Sequence, residues 1–126
     1  LRPGGSSYVA AQWPEIGEAI AAIQQASGIA VLAHPGRYGL TRSKLGRLMD
    51  DFQQGGGDAA EVSYGGINPV QQTSLTTMAQ VRGLYASAGS DFHSAERQWT
   101  DIGKFPALGS AATKNAIWAH PRWHFL

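Results

Sequence analysis

Short apolar runs alternate along this chain with longer segments of helical periodicity, and that rhythm limits the fold more than any other feature. Ile29 to Ala33 is a continuous apolar run, as expected of a strand buried on both faces. Ala59 to Ser63 and Leu84 to Ala88 read as a second and third strand. Before the first, Pro14 suits the first position of a helix that carries Ile16, Ala19, Ile20 and Ile23 and stops at Gly28. Thr41 or Ser43 can cap a second helix with Leu45, Leu48, Met49 and Phe52 on one face, ended by Gly55-Gly56-Gly57. Asn68-Pro69 reads as the cap and first residue of a third, with Val70, Leu75, Met78 and Ala79 or Val81 on its apolar side and Gly83 as its end. Helix, strand, helix, strand, helix, strand with short links predicts an α/β fold of parallel strands joined by helical crossovers. Function then gathers at the carboxyl ends of the strands.

At 126 residues the chain is one domain or a piece of one. Its apolar fraction of 43% and charged fraction of 15% are those of a globular chain. A net charge of +1 gives no electrostatic case for bulk nucleic-acid or membrane binding, so a nucleic-acid substrate would have to be held at a local site. The absence of cysteine removes disulfides, thiolate ligands and cysteine nucleophiles, and is compatible with the cytoplasm. No apolar stretch approaches the roughly 20 residues needed to span a bilayer, and no signal-peptide pattern is present. The chain starts at Leu1, and residues 1–12 read as a loop-like start. Residues 94–126 read as an irregular C-terminal segment in which Trp99, Pro106 and Trp118 are scattered among small and polar residues.

Two strand ends carry the chemistry. Gly89-Ser90-Asp91-Phe92-His93 follows the third strand, and residues two apart on an extended segment project to one side. Asp91 and His93 are therefore candidate metal ligands; the plainer reading is a capped turn with an incidental histidine. Ala33-His34-Pro35 follows the first strand and offers His34 as a ligand, a phosphate contact or a structural residue. A carboxylate and imidazoles without thiolate suit Mn, Fe or Zn. Close to His34, the planar guanidinium of Arg37 suits phosphate oxygens, or else it is a solvated loop cation. Glu61 is an unusual charge among Ala59, Ala60 and Val62, read as an ion ligand, a substrate contact or a paired structural acid, with a supporting role preferred to an ion ligand. Ser63, Tyr64 and Asn68 read as loop residues, either substrate contacts or, the plainer reading, exposed to solvent, and the tryptophans as core or edge packing. Neither a serine-nucleophile elbow nor a phosphate-binding loop of the Gly-x-x-x-x-Gly-Lys type occurs.

The segment Ala30-Val31-Leu32-Ala33-His34-Pro35-Gly36-Arg37-Tyr38 resembles the third motif of the PHP (polymerase and histidinol phosphatase) superfamily, and Gly89-Ser90-Asp91-Phe92-His93 resembles its fourth. With Leu40-Thr41-Arg42-Ser43-Lys44-Leu45, the combination is similar to the bacterial RNase AM branch of 3',5'-nucleoside bisphosphate phosphatases and 5'-to-3' exoribonucleases. The resemblance implies a distorted (β/α)7 barrel around up to three divalent ions, usually manganese. It implies His34, Asp91 and His93 as metal ligands, Arg37 beside the substrate phosphate, and a nucleotide or RNA 5' end as substrate. The earlier ligands of that family, a His-x-His pair among them, have no match, because no histidine precedes His34. The expectation is therefore the carboxyl-terminal part of a single PHP domain over residues 1–126, a partial barrel of about three strand-helix units with little activity alone. The alternative is a non-catalytic nucleotide- or RNA-binding half-barrel, or a decayed gene product. The ending from His120 to Leu126 matches no ending of that family.

Overall fold

The computed structural model describes residues 6–89 and 106–123, those of 6–14 and 111 in backbone only. The elements run α1 (Ser6–Gln25), β1 (Val31–Leu32), a 3-10 turn (Pro35–Tyr38), α2 (Arg42–Gln54), β2 (Ala59–Tyr64), α3 (Pro69–Val81), β3 (Tyr85–Gly89), α4 (Ser110–Thr113) and a second 3-10 turn (Ile117–Ala119). The strands form one parallel sheet in the order β1-β2-β3, with Leu32 opposite Ala60 and Ala60 opposite Ala86. Alternation of strands and helices thus produces the parallel α/β arrangement that the sequence rhythm predicts.

The helix ends follow their capping chemistry. Thr41 Oγ1 accepts the Lys44 N–H at 3.2 Å, and Asn68 Oδ1 accepts the Gln71 N–H at 2.7 Å ahead of Pro69. Gly83, at φ 70°, takes the left-handed conformation that closes α3, with Leu84 N–H bonded back to the Ala79 carbonyl at 2.9 Å. Leu45, Leu48, Met49 and Phe52 of α2 and Leu75, Met78 and Ala79 of α3 are buried with Ala60, Val62 and Tyr64 of β2 and Leu84 and Ala86 beside β3. This central strand is where the core sits.

Three expectations are corrected. Helix α1 starts at Ser6, so Ser6 to Gln12 are helical rather than loop, and Pro14 lies inside the helix. Ala10 and Ala11, the best helix formers, extend it upstream of the proline. Strand β1 is two residues long, and Val31 is 36% exposed, because among the described residues β1 pairs on one side only. Val70 and Val81 are 81% and 77% exposed. At 3.6 residues per turn both project about 120–140° away from Leu75 and so miss the buried stripe.

The C-terminal segment is tied to the sheet. Ala116 bridges Ala86 in parallel, and the Ala86 N–H donates to the Asn115 carbonyl at 2.7 Å. Two short helical pieces, α4 and the turn at Ile117–Ala119, interrupt a stretch read as irregular.

Candidate functional site

The turn after β1, which carries His34 and Arg37, lies against β2 at Glu61 and Tyr64. Glu61 sits mid-strand in β2, and its Oε1 accepts the backbone N–H of His34 at 2.8 Å. A carboxylate on the central strand thereby fixes the first residue after β1. His34 has φ 29° and ψ 57°, a left-handed conformation uncommon for a residue with a side chain. Such backbone strain, of order 1–3 kcal/mol, persists where surrounding bonds determine it, and the Glu61 bond is one of these. Beyond Glu61 the β2–β3 register shifts between Glu61 and Ser63, an irregularity of the kind that bends a strand near a site.

Tyrosines wall the corner. The His34 ring meets Tyr38 and Tyr64 edge-on, with ring centroids 6.0 and 6.4 Å away. Tyr38 donates its hydroxyl proton to the Ala33 carbonyl at 2.6 Å. Burial first, then the charge of Glu61 and the neighbouring Tyr64, push its pKa up to about 12, so it stays a donor at any ordinary pH. The Arg37 guanidinium lies 4.9 Å from the centre of the Tyr64 ring and donates to the Gly65 carbonyl. Gln71 Nε2 donates to the Gly36 carbonyl at 3.2 Å. A side chain at Gly36 would run into the Tyr64 hydroxyl, so glycine is what lets the 3-10 turn lie flat on Tyr64.

Tyr64 and Ser63 are read from sequence as exposed, and both are buried, at 1% and 0%. They belong to the central strand, which runs one residue further than its apolar pattern indicates. The usable signal was Tyr64 lying at an even spacing from Val62, on the same side of the strand. Asn68 is the exposed cap of α3. Asp91 and His93 lie outside the described residues. Among the described residues no three His, Asp or Glu side chains stand where they could share one ion. His34 and Glu61 form one imidazole and one carboxylate of the kind a hard divalent ion takes, fewer than a closed site needs. Their chemistry fits such a group as part of a donor set.

No family model matches this sequence. Over 103 residues it is 42% identical to the 3',5'-nucleoside bisphosphate phosphatase of Chromobacterium violaceum, covering 82% of this chain and 36% of that protein. It is 43% identical over 104 residues to the 5'-3' exoribonuclease Rnm of Salmonella typhimurium, and 42% identical over 104 to that of Escherichia coli, each covering 82% of this chain and 35% of the relative. An amidohydrolase structure from Chromobacterium violaceum, with bound sulfate and no metal, matches with a TM-score of 0.72 at 38% identity, over 82% of this chain and 35% of that one. These proteins are its homologues. The chain spans about a third of their length. Among the described residues no helix is long and apolar enough to cross a membrane.

Proposed function

We propose that the protein carrying this chain is a metal-dependent phosphoesterase of the PHP type, hydrolysing phosphate esters of nucleoside 3',5'-bisphosphates or RNA 5' ends. The observation that carries the reading is the corner where the turn after β1, with His34 and Arg37, lies against β2 at Glu61 and Tyr64, in a chain whose relatives bear those activities in their names. His34 and, from the following strand end, Asp91 and His93 would hold divalent ions, manganese by family resemblance. A bound ion of this kind supplies Lewis-acid polarisation of the phosphoryl group and a nucleophile from water.

The chain's own residues do the rest. Glu61 acts through the backbone of His34, setting the direction in which the imidazole leaves the strand. Arg37 places a permanent positive charge at the site's edge, over the Tyr64 ring, where a guanidinium can take two oxygens of a phosphate and the charge that builds on them. Tyr38 stays neutral and adds no charge to the corner.

The test uses the whole protein, loaded with Mn²⁺, on a nucleoside 3',5'-bisphosphate. Arg37→Ala is expected to lower kcat/KM by roughly 10²–10³-fold, as loss of a charge-stabilising donor does elsewhere. His93→Ala is expected to lose metal as well as activity. A His93→Ala protein with its full metal content and turnover would remove that residue from the site.

A further inference from the structure

The outer side of α2 and α3 carries a groove that the proposed chemistry does not use. Ser43, Gly46, Arg47 and Asp50 recur on α2 at spacings of three and four, and so do Ser74, Thr77, Met78 and Val81 on α3, so each set shares one helix face. Two cavities of about 440 and 350 Å³ open between these faces and share Arg42 and Met78 in their linings, which makes them one continuous trough. Its upper end is lined by Asn68, Gln71 and Ser74 among Leu40, Leu45, Val70 and Leu75, and Gln71 bonds the Gly36 carbonyl of the turn that carries Arg37. One hydrogen bond thus separates the upper end of the trough from the turn of the proposed phosphate site. Each helix has 13 residues, so the trough can extend about 20 Å.

Its lower lining is basic. Arg42, Arg47 and Arg82 face a single carboxylate, Asp50. Arg82 and Asp50 form a pair at 2.8 Å, and Arg82 also donates to the Gly46 carbonyl at 3.2 Å and the Met78 carbonyl at 3.0 Å. A side chain at Gly46 would meet the Arg82 guanidinium at 2.8 Å, so glycine there lets that pair form the floor. Arg42 and Arg47 remain on the exposed rim with the hydroxyls of Ser43 and Thr77. Guanidinium groups and hydroxyls along an open track match the phosphates and 2'-hydroxyls of a single RNA strand.

We propose that this trough carries the RNA chain extending 3' from the nucleotide whose 5' phosphate occupies the Arg37 site. The proposal rests on the phosphoesterase reading and adds to it a path for substrates longer than one nucleotide. It separates a nucleoside bisphosphate, which ends before the trough, from RNA, which fills it.

The experiment compares the whole wild-type protein with an Arg42→Glu/Arg47→Glu double variant on two substrates, a nucleoside 3',5'-bisphosphate and a 5'-phosphorylated RNA hexamer. Hydrolysis of the bisphosphate is expected to stay within twofold of wild type. For the hexamer, KM is expected to rise tenfold or more, and its dependence on log salt to flatten by about one unit per arginine. Fluorescence anisotropy of the labelled hexamer gives the same comparison without turnover, in both proteins carrying His34→Ala. Unchanged hexamer affinity, or an equal loss on both substrates, overturns the proposal. Loss of bisphosphate hydrolysis in Arg37→Ala tests the phosphoesterase reading separately. An Arg42→Lys/Arg47→Lys variant is expected to recover most hexamer affinity, and failure to do so would point to a folding defect and count against the phosphate contacts.

Discussion

Tyr64 is the residue on which the site rests most directly. Its ring supports Arg37 from one side and meets His34 edge-on from another, while its hydroxyl is buried against the Gly36 turn. Burial raises the pKa of that hydroxyl; Arg37 and the Gly36 backbone oppose the rise and Glu61 adds to it, so the group stays neutral. Ring and hydroxyl therefore have separable effects. Tyr64→Phe keeps the platform under Arg37 and removes the buried hydroxyl that faces the Gly36 backbone. It is expected to bind inorganic phosphate as wild type does, and to lose about 1 kcal/mol of stability in urea. Tyr64→Leu removes the platform and is expected to weaken phosphate binding about fivefold, the equivalent of about 1 kcal/mol of cation–π contact. Titration calorimetry on folded protein measures both. Equal losses in the two variants would assign the effect to the hydroxyl instead.

At the scale of elements, the strongest tie lies at the opposite end of the sheet. Asp58, just before β2, accepts the Ala30 N–H at 2.9 Å, Gln24 Nε2 at 3.1 Å and Arg122 Nη2 on both oxygens at 3.0 Å. The His120 ring takes the Arg122 N–H on Nδ1 at 3.0 Å, so in the neutral ring the proton is on Nε2, 3.2 Å from Asp58. One carboxylate thus joins α1, β1, β2 and the C-terminal segment. Burial would raise its pKa, but the bonds from Ala30, Gln24, His120 and Arg122 outweigh it and hold the group below the usual carboxylate value of 3.8. A depressed carboxylate contributes stability above its unfolded pKa and loses it as pH falls through the folded one. Unfolding in urea is therefore expected to show a stability plateau at neutral pH that falls below pH 4, and Arg122→Ala is expected to lower the plateau by about 2 kcal/mol. A plateau unmoved by Arg122→Ala would show the clasp to be dispensable. This tie was invisible in the sequence, where Ala119-His120-Pro121 follows no strand and looks like a chance repeat of Ala33-His34-Pro35. Its partner is 62 positions away, and no local pattern reports such a contact. Helix caps at Thr41 and Asn68 were legible because their chemistry is local.

For the whole molecule, the parallel α/β order could be read from hydrophobic rhythm, because each buried strand and each helix face must recur with its own period. The exposure at β1 could not, since it depends on which strand lies beside it. Of the two strand ends read as the site, the one with Asp91 and His93 lies outside the described residues; at the other, His34 is tied to Glu61 and Arg37 packs on Tyr64, while Tyr64 and Gln71, which hold that turn in place, carried no motif weight of their own. The donor inventory leads to the last expectation. The sequence has four histidines, and His120 is committed to Asp58 and Arg122. His34, Asp91 and His93, with Glu61 as a further carboxylate, are the four candidate donors, and even with His124 they fall short of the dozen or so that three manganese ions in near-octahedral oxygen- and nitrogen-rich sites need, bridging groups and waters included. The 126-residue chain alone is therefore expected to bind no more than about one ion per chain by elemental analysis after desalting. With excess Mn²⁺ it is expected to leave a nucleoside bisphosphate unhydrolysed over hours, while the whole protein turns it over. Three retained ions, or turnover comparable to the whole protein, would mean that these four donors suffice and that the site closes within this chain.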